Sequence, residues 1–147
     1  MSLLQSFFFL NPGFGKSYSV GNNEKDAIKL DVYYTDTFIH PALVVDNIRL
    51  ATIEEIVAMK IDVVQRRGRK KDFWDLHELL DHYPLSLMLA LHEQRYMHDH
   101  EEEIILSNFT NFELADEDFN PICLRGKHWE FIKEDIQDAV AEYKKSK

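Results

Sequence analysis

Residues 48–80, IRLATIEEIVAMKIDVVQRRGRKKDFWDLHELL, constrain the fold more than any other part of the chain. Two apolar patterns of helical spacing lie here, separated by a glycine set among five basic residues. The spacing predicts a helical hairpin, and its polar residues are unusual for one whose role is purely structural. A lysine falls inside the apolar stripe of the first helix, and two aspartates open the second.

The first helix has a clear start. Thr52 is suited to N-cap and Glu55 stands three residues on, so Thr-Ile-Glu-Glu reads as a capping box and the helix should begin near Ile53. At about 100° per residue, Ile53, Ile56, Val57, Ile61 and Val64 fall within an arc of roughly 140°. Lys60 lies inside that arc and Asp62 points the other way. An unpaired ammonium is costly to bury, so Lys60 must either meet a carboxylate or reach a polar cavity. Both readings stay open: a phosphate-facing lysine, or a structural lysine paired with a nearby aspartate.

The second helix follows the run Arg66-Arg67-Gly68-Arg69-Lys70-Lys71. Phe73, Leu76, Leu79, Leu80 and Tyr83 make its apolar face. Asp72 projects near that face from the first turn, and Asp75 sits on its edge. Each has a plain alternative role, Asp72 as N-cap and Asp75 as a complement to the helix dipole. Together, a lysine, a basic loop and carboxylates suit a site that handles phosphate and a divalent metal.

Composition sets the context for that cluster. The chain has 147 residues and a net charge of -9, although 66–71 alone holds five basic side chains. A general nucleic-acid binder presents a broadly basic face; this pattern favours a focused anion site on an acidic body. Hydrophobic residues at 45% are ample for the core of a single domain, 1–147. The lone Cys123 excludes an internal disulfide and fits a reducing cytoplasm. LLQSFFFL lacks a basic flank and runs into Asn11-Pro12-Gly13, so it does not read as a signal peptide. No apolar run approaches the roughly 20 residues of a membrane span.

Along the chain, residues 6–34 read as an antiparallel meander. Strands at 7–10, 18–20 and 28–34 are joined by the turns NPGFGK and Gly21-Asn22-Asn23. In the last strand Ile28, Leu30 and Val32 share one face and Lys29, Asp31 and Tyr33 the other. Asp31 is a third carboxylate of interest, with pairing to Lys16 or Lys29 as the alternative. After a loop holding His40-Pro41 the pattern predicts only helices, over about 53–66, 72–82, 85–97 and 128–144, with a short one near 101–107. Pro84 separates two of them, and 108–127 reads as irregular. Strands followed by a helical part, 48–147, make an α+β fold.

Other motifs carry less. Gly13-Phe14-Gly15-Lys16-Ser17 resembles the tail of a P-loop, but Leu10 stands where that pattern needs glycine, and a hairpin replaces the required helix. His98-Asp99-His100 ends a helix without a further metal ligand fixed by spacing. Asp116-Glu117-Asp118 has the spacing of a two-metal pair but no preceding strand, so it reads as surface acidity. Cys123 reads as a packed thiol.

Lys29-Leu30-Asp31, IRLATIEEIVAMK, RRGRKKDFWDLHELL and FELADEDFNP, followed by a helix at Trp129, together resemble the later part of the AbiEii/AbiGii toxin-type nucleotidyltransferase family. The resemblance runs from about residue 6 to residue 144. That family belongs to the polymerase-β-like nucleotidyltransferases, which transfer a nucleotide from a nucleoside triphosphate to an acceptor, tRNA ends in some cases. Several members are toxins beside an antitoxin. The resemblance implies that Asp31 is a metal-binding carboxylate and that Lys60 contacts triphosphate. It also implies that Asp72 or Asp75 completes the active centre and that Mg²⁺ is the cofactor, while the charge of the basic run itself makes Arg66, Arg67, Arg69, Lys70 and Lys71 the expected further phosphate contacts.

The chain departs from the family in one respect. It has no Gly-Gly or Gly-Ser turn and no Asp-x-Asp pair on a strand before the meander. The expectation is a truncated fold, with the missing half absent or supplied by another chain, and no transfer by the polypeptide alone. The alternative is a non-catalytic module that binds an antitoxin or the missing half. An uncovered meander with Phe7, Phe8 and Phe9 in need of burial predicts a homo-oligomer.

Overall fold

The computed structural model describes residues 7–9, 15–21, 23, 25–35 and 37–147. The chain divides into two compact units, Met1–Thr37 and Phe38–Lys147.

In the first unit β1 (Phe7–Phe9), β2 (Gly15–Val20) and β3 (Ile28–Tyr33) form an antiparallel sheet in the order β1-β2-β3, as the meander pattern requires. The register sets Ser17 opposite Asp31 and Tyr18 opposite Leu30. β2 opens three residues earlier than its sequence pattern suggests, taking in Gly15 and Lys16. The expected turn at 11–14, and the packing expected of the Phe7, Phe8 and Phe9 side chains, lie outside the described residues. β3 is exposed on both faces: Ile28, Leu30 and Val32 are 73%, 50% and 51% accessible. The alternation gives the strand an apolar face, but no layer of this unit covers it among the described residues.

The second unit begins with a feature the helical expectation missed. β4 (Leu43–Val45) and β5 (Ile48–Leu50) form a two-stranded antiparallel hairpin. Its turn is made by Asp46 and Asn47, whose φ angles of 50° and 63° are both left-handed, the conformation that a two-residue hairpin loop needs and that Asp and Asn tolerate.

Six helices follow: α1 (Ile53–Gln65), α2 (Lys70–Leu80), α3 (Leu85–Arg95), α4 (Glu102–Phe109), α5 (Glu113–Asp116) and α6 (Trp129–Lys145). α1 packs on α2, α3 and α4, and α6 packs on the same three. Between them lie Val57, Ile61, Phe73, Leu76, Met88, Ile105, Phe109, Ile132 and Ile136, each nearly or wholly inaccessible. α5 is a further correction, since 108–127 reads as irregular in sequence. Phe112 and Ala115 are buried there and anchor the turn.

The buried stripe of α1 differs from the wheel. Val57, Ile61 and Val64 are inside as expected, but Ile53 and Ile56 are 52% and 39% exposed, while Ala58 and Glu55 are fully buried. Thr52 Oγ1 accepts the Glu55 backbone N–H at 3.3 Å, which is half of the expected capping box. The Glu55 side chain turns inward instead. It accepts the His40 backbone N–H at 2.8 Å and pairs with the fully buried Arg95 guanidinium, which lies over the Phe38 and Tyr96 rings. This buried pair draws the chain entering the hairpin and the end of α3 onto α1.

Candidate active site

The hairpin of α1 and α2 brings Lys60, Asp72 and Asp75 together. Lys60 Nζ lies 3.1 Å from Asp72 Oδ1 and 2.6 Å from Asp75 Oδ2. The Asp72 side chain is buried, Lys60 is about a quarter exposed, and Asp75 is 54% exposed. The lysine stem thus runs along packed surface and its ammonium ends at the boundary with solvent. Burial pulls the Lys60 pKa down, but hydrogen bonds and charge from Asp75 and Asp72 outweigh it and hold the ammonium above the usual lysine range. Lys60 is cationic at any physiological pH.

Asp72 divides its two oxygens between tasks. Oδ1 faces Lys60, and Oδ2 accepts the backbone N–H of Arg69, the N-cap of α2, at 3.0 Å. The helix starts two residues earlier than the pattern suggests, so Asp72 is the third helical residue rather than the cap. This close turn depends on Gly68. A Cβ there would stand 3.1 Å from the Asp72 Cβ and 3.2 Å from Val64 Cγ2.

The basic run does not form one cationic face. Arg66 reaches back to Asp62 Oδ1 at 2.8 Å. Arg67 has a left-handed φ of 65° and is exposed, as is Lys71. Arg69 holds Asp118 with both edges of its fork, Nε at 3.1 Å and Nη2 at 3.0 Å, and lies over the Phe119 ring. Lys70 is buried. Its Nζ donates to Asn120 Oδ1 at 3.1 Å and sits over the Trp129 ring.

The acids read as surface decoration in sequence are therefore fastenings. Asp116 Oδ1 accepts from Trp129 Nε1 at 2.6 Å and from Lys133 Nζ at 3.0 Å, and the indole N–H is the main reason its carboxyl lies below the usual range. Trp129 in turn meets Phe73 and Phe112 edge-on and stacks on Trp74. The signal available in sequence was charge: an acidic stretch, 113–118, that complements the basic run some 50 residues earlier.

Asp31 belongs to the first unit. It accepts a hydrogen bond from Ser17 Oγ at 2.5 Å and pairs with Lys29 Nζ at 2.8 Å, the neighbour foreseen for it. The remaining motifs resolve simply. His98 and Asp99 are exposed, and His100 faces His92, Nδ1 to Nδ1, at 2.8 Å. Cys123 is not packed as an apolar thiol but is half-exposed. Its Sγ accepts the Lys127 backbone N–H at 3.3 Å, and the Trp74 indole N–H, ahead of nearby backbone N–H groups, lowers its pKa.

Among the described residues no three histidine, cysteine or acidic side chains come together to hold a metal ion. Asp72 and Asp75 already share a cation in Lys60, so these two do not by themselves offer a magnesium site.

The description of one protein family, the nucleotidyl transferase AbiEii toxin of a type IV toxin–antitoxin system, matches residues 7–145. The chain belongs to the AbiEii family. A solved structure, JHP933 from Helicobacter pylori, superposes on it with a TM-score of 0.59 at 18% sequence identity, over 98% of this chain and 65% of the other. That likeness concerns the fold, and the chain spans about two thirds of the length of JHP933. No curated protein is a significant match. None of the chain's described helices is long and apolar enough to cross a membrane.

Proposed function

We propose that this chain is the portion of an AbiEii-type nucleotidyltransferase that binds the triphosphate of a nucleoside triphosphate, in a reaction that passes the nucleotide to an acceptor such as tRNA. The observation that carries this reading is the Lys60–Asp72–Asp75 triad, built from IRLATIEEIVAMK and RRGRKKDFWDLHELL at the solvent boundary of the helical unit. A structural ion pair needs one carboxylate. Here Asp72 supplies it from a buried position, while Asp75 is exposed enough to give way.

The roles follow from that asymmetry. Asp72 fixes the ammonium in place and ties it to the start of α2. Lys60 offers its charge to phosphate oxygens as Asp75 yields its place, and it offsets negative charge that grows on the leaving phosphates. Exposed Arg67 and Lys71 add longer-range attraction to a polyanion in an otherwise acidic chain. Asp31 is the carboxylate proposed to serve Mg²⁺, whose chemistry when bound is to neutralise the transferring phosphates. The described residues do not by themselves complete a site for the ion.

The 147 residues contain no Gly-Ser turn and strand-borne Asp-x-Asp pair. We therefore expect them to bind nucleotide without completing transfer unaided. A homo-oligomeric, cytoplasmic protein fits the exposed apolar face of β3 and the single unpaired cysteine. The test is incubation with labelled nucleoside triphosphates, Mg²⁺ and total tRNA, alongside binding measurements. Binding that Lys60→Met weakens, with no labelling of tRNA, is the expected result. Labelling that disappears in Asp31→Ala would overturn the expectation of inactivity.

A further inference from the structure

Two histidines meet at the corner that joins α3 to α4. His92, on the inner face of α3, is wholly buried, and its Nδ1 lies 2.8 Å from Nδ1 of the half-buried His100. At that distance one ring nitrogen donates and the other accepts, so the two rings share one proton. Of residues 97–101, only His100 turns inward; the other four are exposed. This contact is therefore what ties the corner to α3.

The surroundings decide which ring donates. His92 Nε2 faces Asp62 Oδ1 of α1 at 3.8 Å, and that carboxylate favours a hydrogen on Nε2. Neutral His92 then accepts at Nδ1, and His100 donates its Nδ1–H. A proton added at His100 Nε2 leaves the contact intact. A second one, on His92 Nδ1, sets two N–H groups and two positive rings against each other, and the contact breaks.

Other groups around the pair have defined roles. From α1, Arg66 and Gln65 both donate to Asp62 Oδ1. From α3, the Tyr96 ring lies 5.0 Å from the His92 ring, and Arg95 over that same tyrosine is neutralised by Glu55. Glu93 of α3 and Glu102 of α4 favour a charged His100, but burial first and the neighbouring His92 second outweigh them and hold its pKa below the usual histidine value.

We propose that His92 and His100 form an acid-sensitive latch: the shared proton keeps the α3–α4 corner closed near neutrality, and charging both rings releases residues 97–101 from α3. With His100 lowered in the fold, the latch's stabilisation is fully present above the ordinary histidine value of about 6.5 and is lost as pH falls through the folded one.

Thermal melts of the full chain from pH 7.5 to pH 5 test this, with His100→Gln as the variant and His98→Gln, at an exposed position, as the control. A glutamine donates its amide to neutral His92 or turns its carbonyl oxygen to charged His92, so its contact survives acid. The Tm of His100→Gln relative to the parent protein should rise by about 2–4 °C as pH falls across that range, while His98→Gln tracks the parent. Amide hydrogen exchange locates the change: at pH 5 residues 96–101 should exchange about tenfold faster in the parent than in His100→Gln, and at pH 7.5 the two should match. Where His100→Gln folds poorly, nitrogen NMR of the parent's imidazoles serves, and the second proton should enter the pair only together with faster exchange at 96–101. A constant Tm difference, equal exchange in the two proteins at pH 5, or uptake of both protons without faster exchange would overturn the proposal.

Discussion

Lys60 was legible in the sequence because a helical wheel leaves few places for a lysine at that angle. Its pairing with Asp72 and Asp75 was legible only as an alternative. Glu55 was misread for an instructive reason: a Thr-x-x-Glu string predicts capping, and nothing nearby announces the buried Arg95 that takes the carboxylate instead. Removing either member of that pair leaves an uncompensated buried charge, so Arg95→Met should destabilise the helical unit by about 3–5 kcal/mol in chemical denaturation. A loss under about 1 kcal/mol would mean that the pair is solvated. Lys60 makes a separate prediction through pH. Its folded pKa is raised, so its stabilisation is present below the ordinary lysine value of about 10.4 and is lost as pH rises through the folded value. The Tm difference between the parent protein and Lys60→Met should therefore be constant near neutrality and shrink only in strong alkali. A difference that shrinks already between pH 6 and 8 would contradict the assignment.

At the scale of elements, long periodic helices were legible and short ones were not. The 3.6-residue pattern located α1, α2, α3 and α6 to within two residues at nearly every boundary, and Pro84 marked the break before α3. The β4–β5 hairpin escaped because its strands have three residues each, too few to show an alternation, and its Asp46-Asn47 turn lacks the glycine that usually marks such loops. The α2 boundary moved for another reason. Asp72 reaches back to the Arg69 N–H, and Gly68 permits the approach, so the helix takes in two lysines that composition assigned to a loop. Gly68→Ala should cost about 1–3 kcal/mol by forcing α2 away from Val64. It should also weaken nucleotide binding, since Asp72 would no longer set Lys60. A variant with the parent's stability and affinity would show that this close contact is easily relieved.

For the whole molecule, the sequence conveyed the fold class and the family strings but not which surfaces stay open. Strand periodicity assigns Ile28, Leu30 and Val32 to an inner face, yet they are exposed, as are Leu43, Val44, Val45, Ile48 and Leu50 in the hairpin. Pattern alone cannot show a covering layer that lies elsewhere. Exposed apolar strands of this kind favour self-association. Light scattering across micromolar concentrations should show a dimer or larger species, and a monodisperse monomer throughout would contradict it. The proposed role of Lys60, between its two aspartates, is to bind the phosphates of a nucleoside triphosphate. Calorimetric titration of ATP into Lys60→Met and into Lys144→Met, a change at an exposed lysine of α6, separates that role from a structural one. Affinity should be about tenfold or more weaker in Lys60→Met and unchanged in Lys144→Met. Equal affinities in the two variants would make Lys60 a structural lysine and overturn the proposed role.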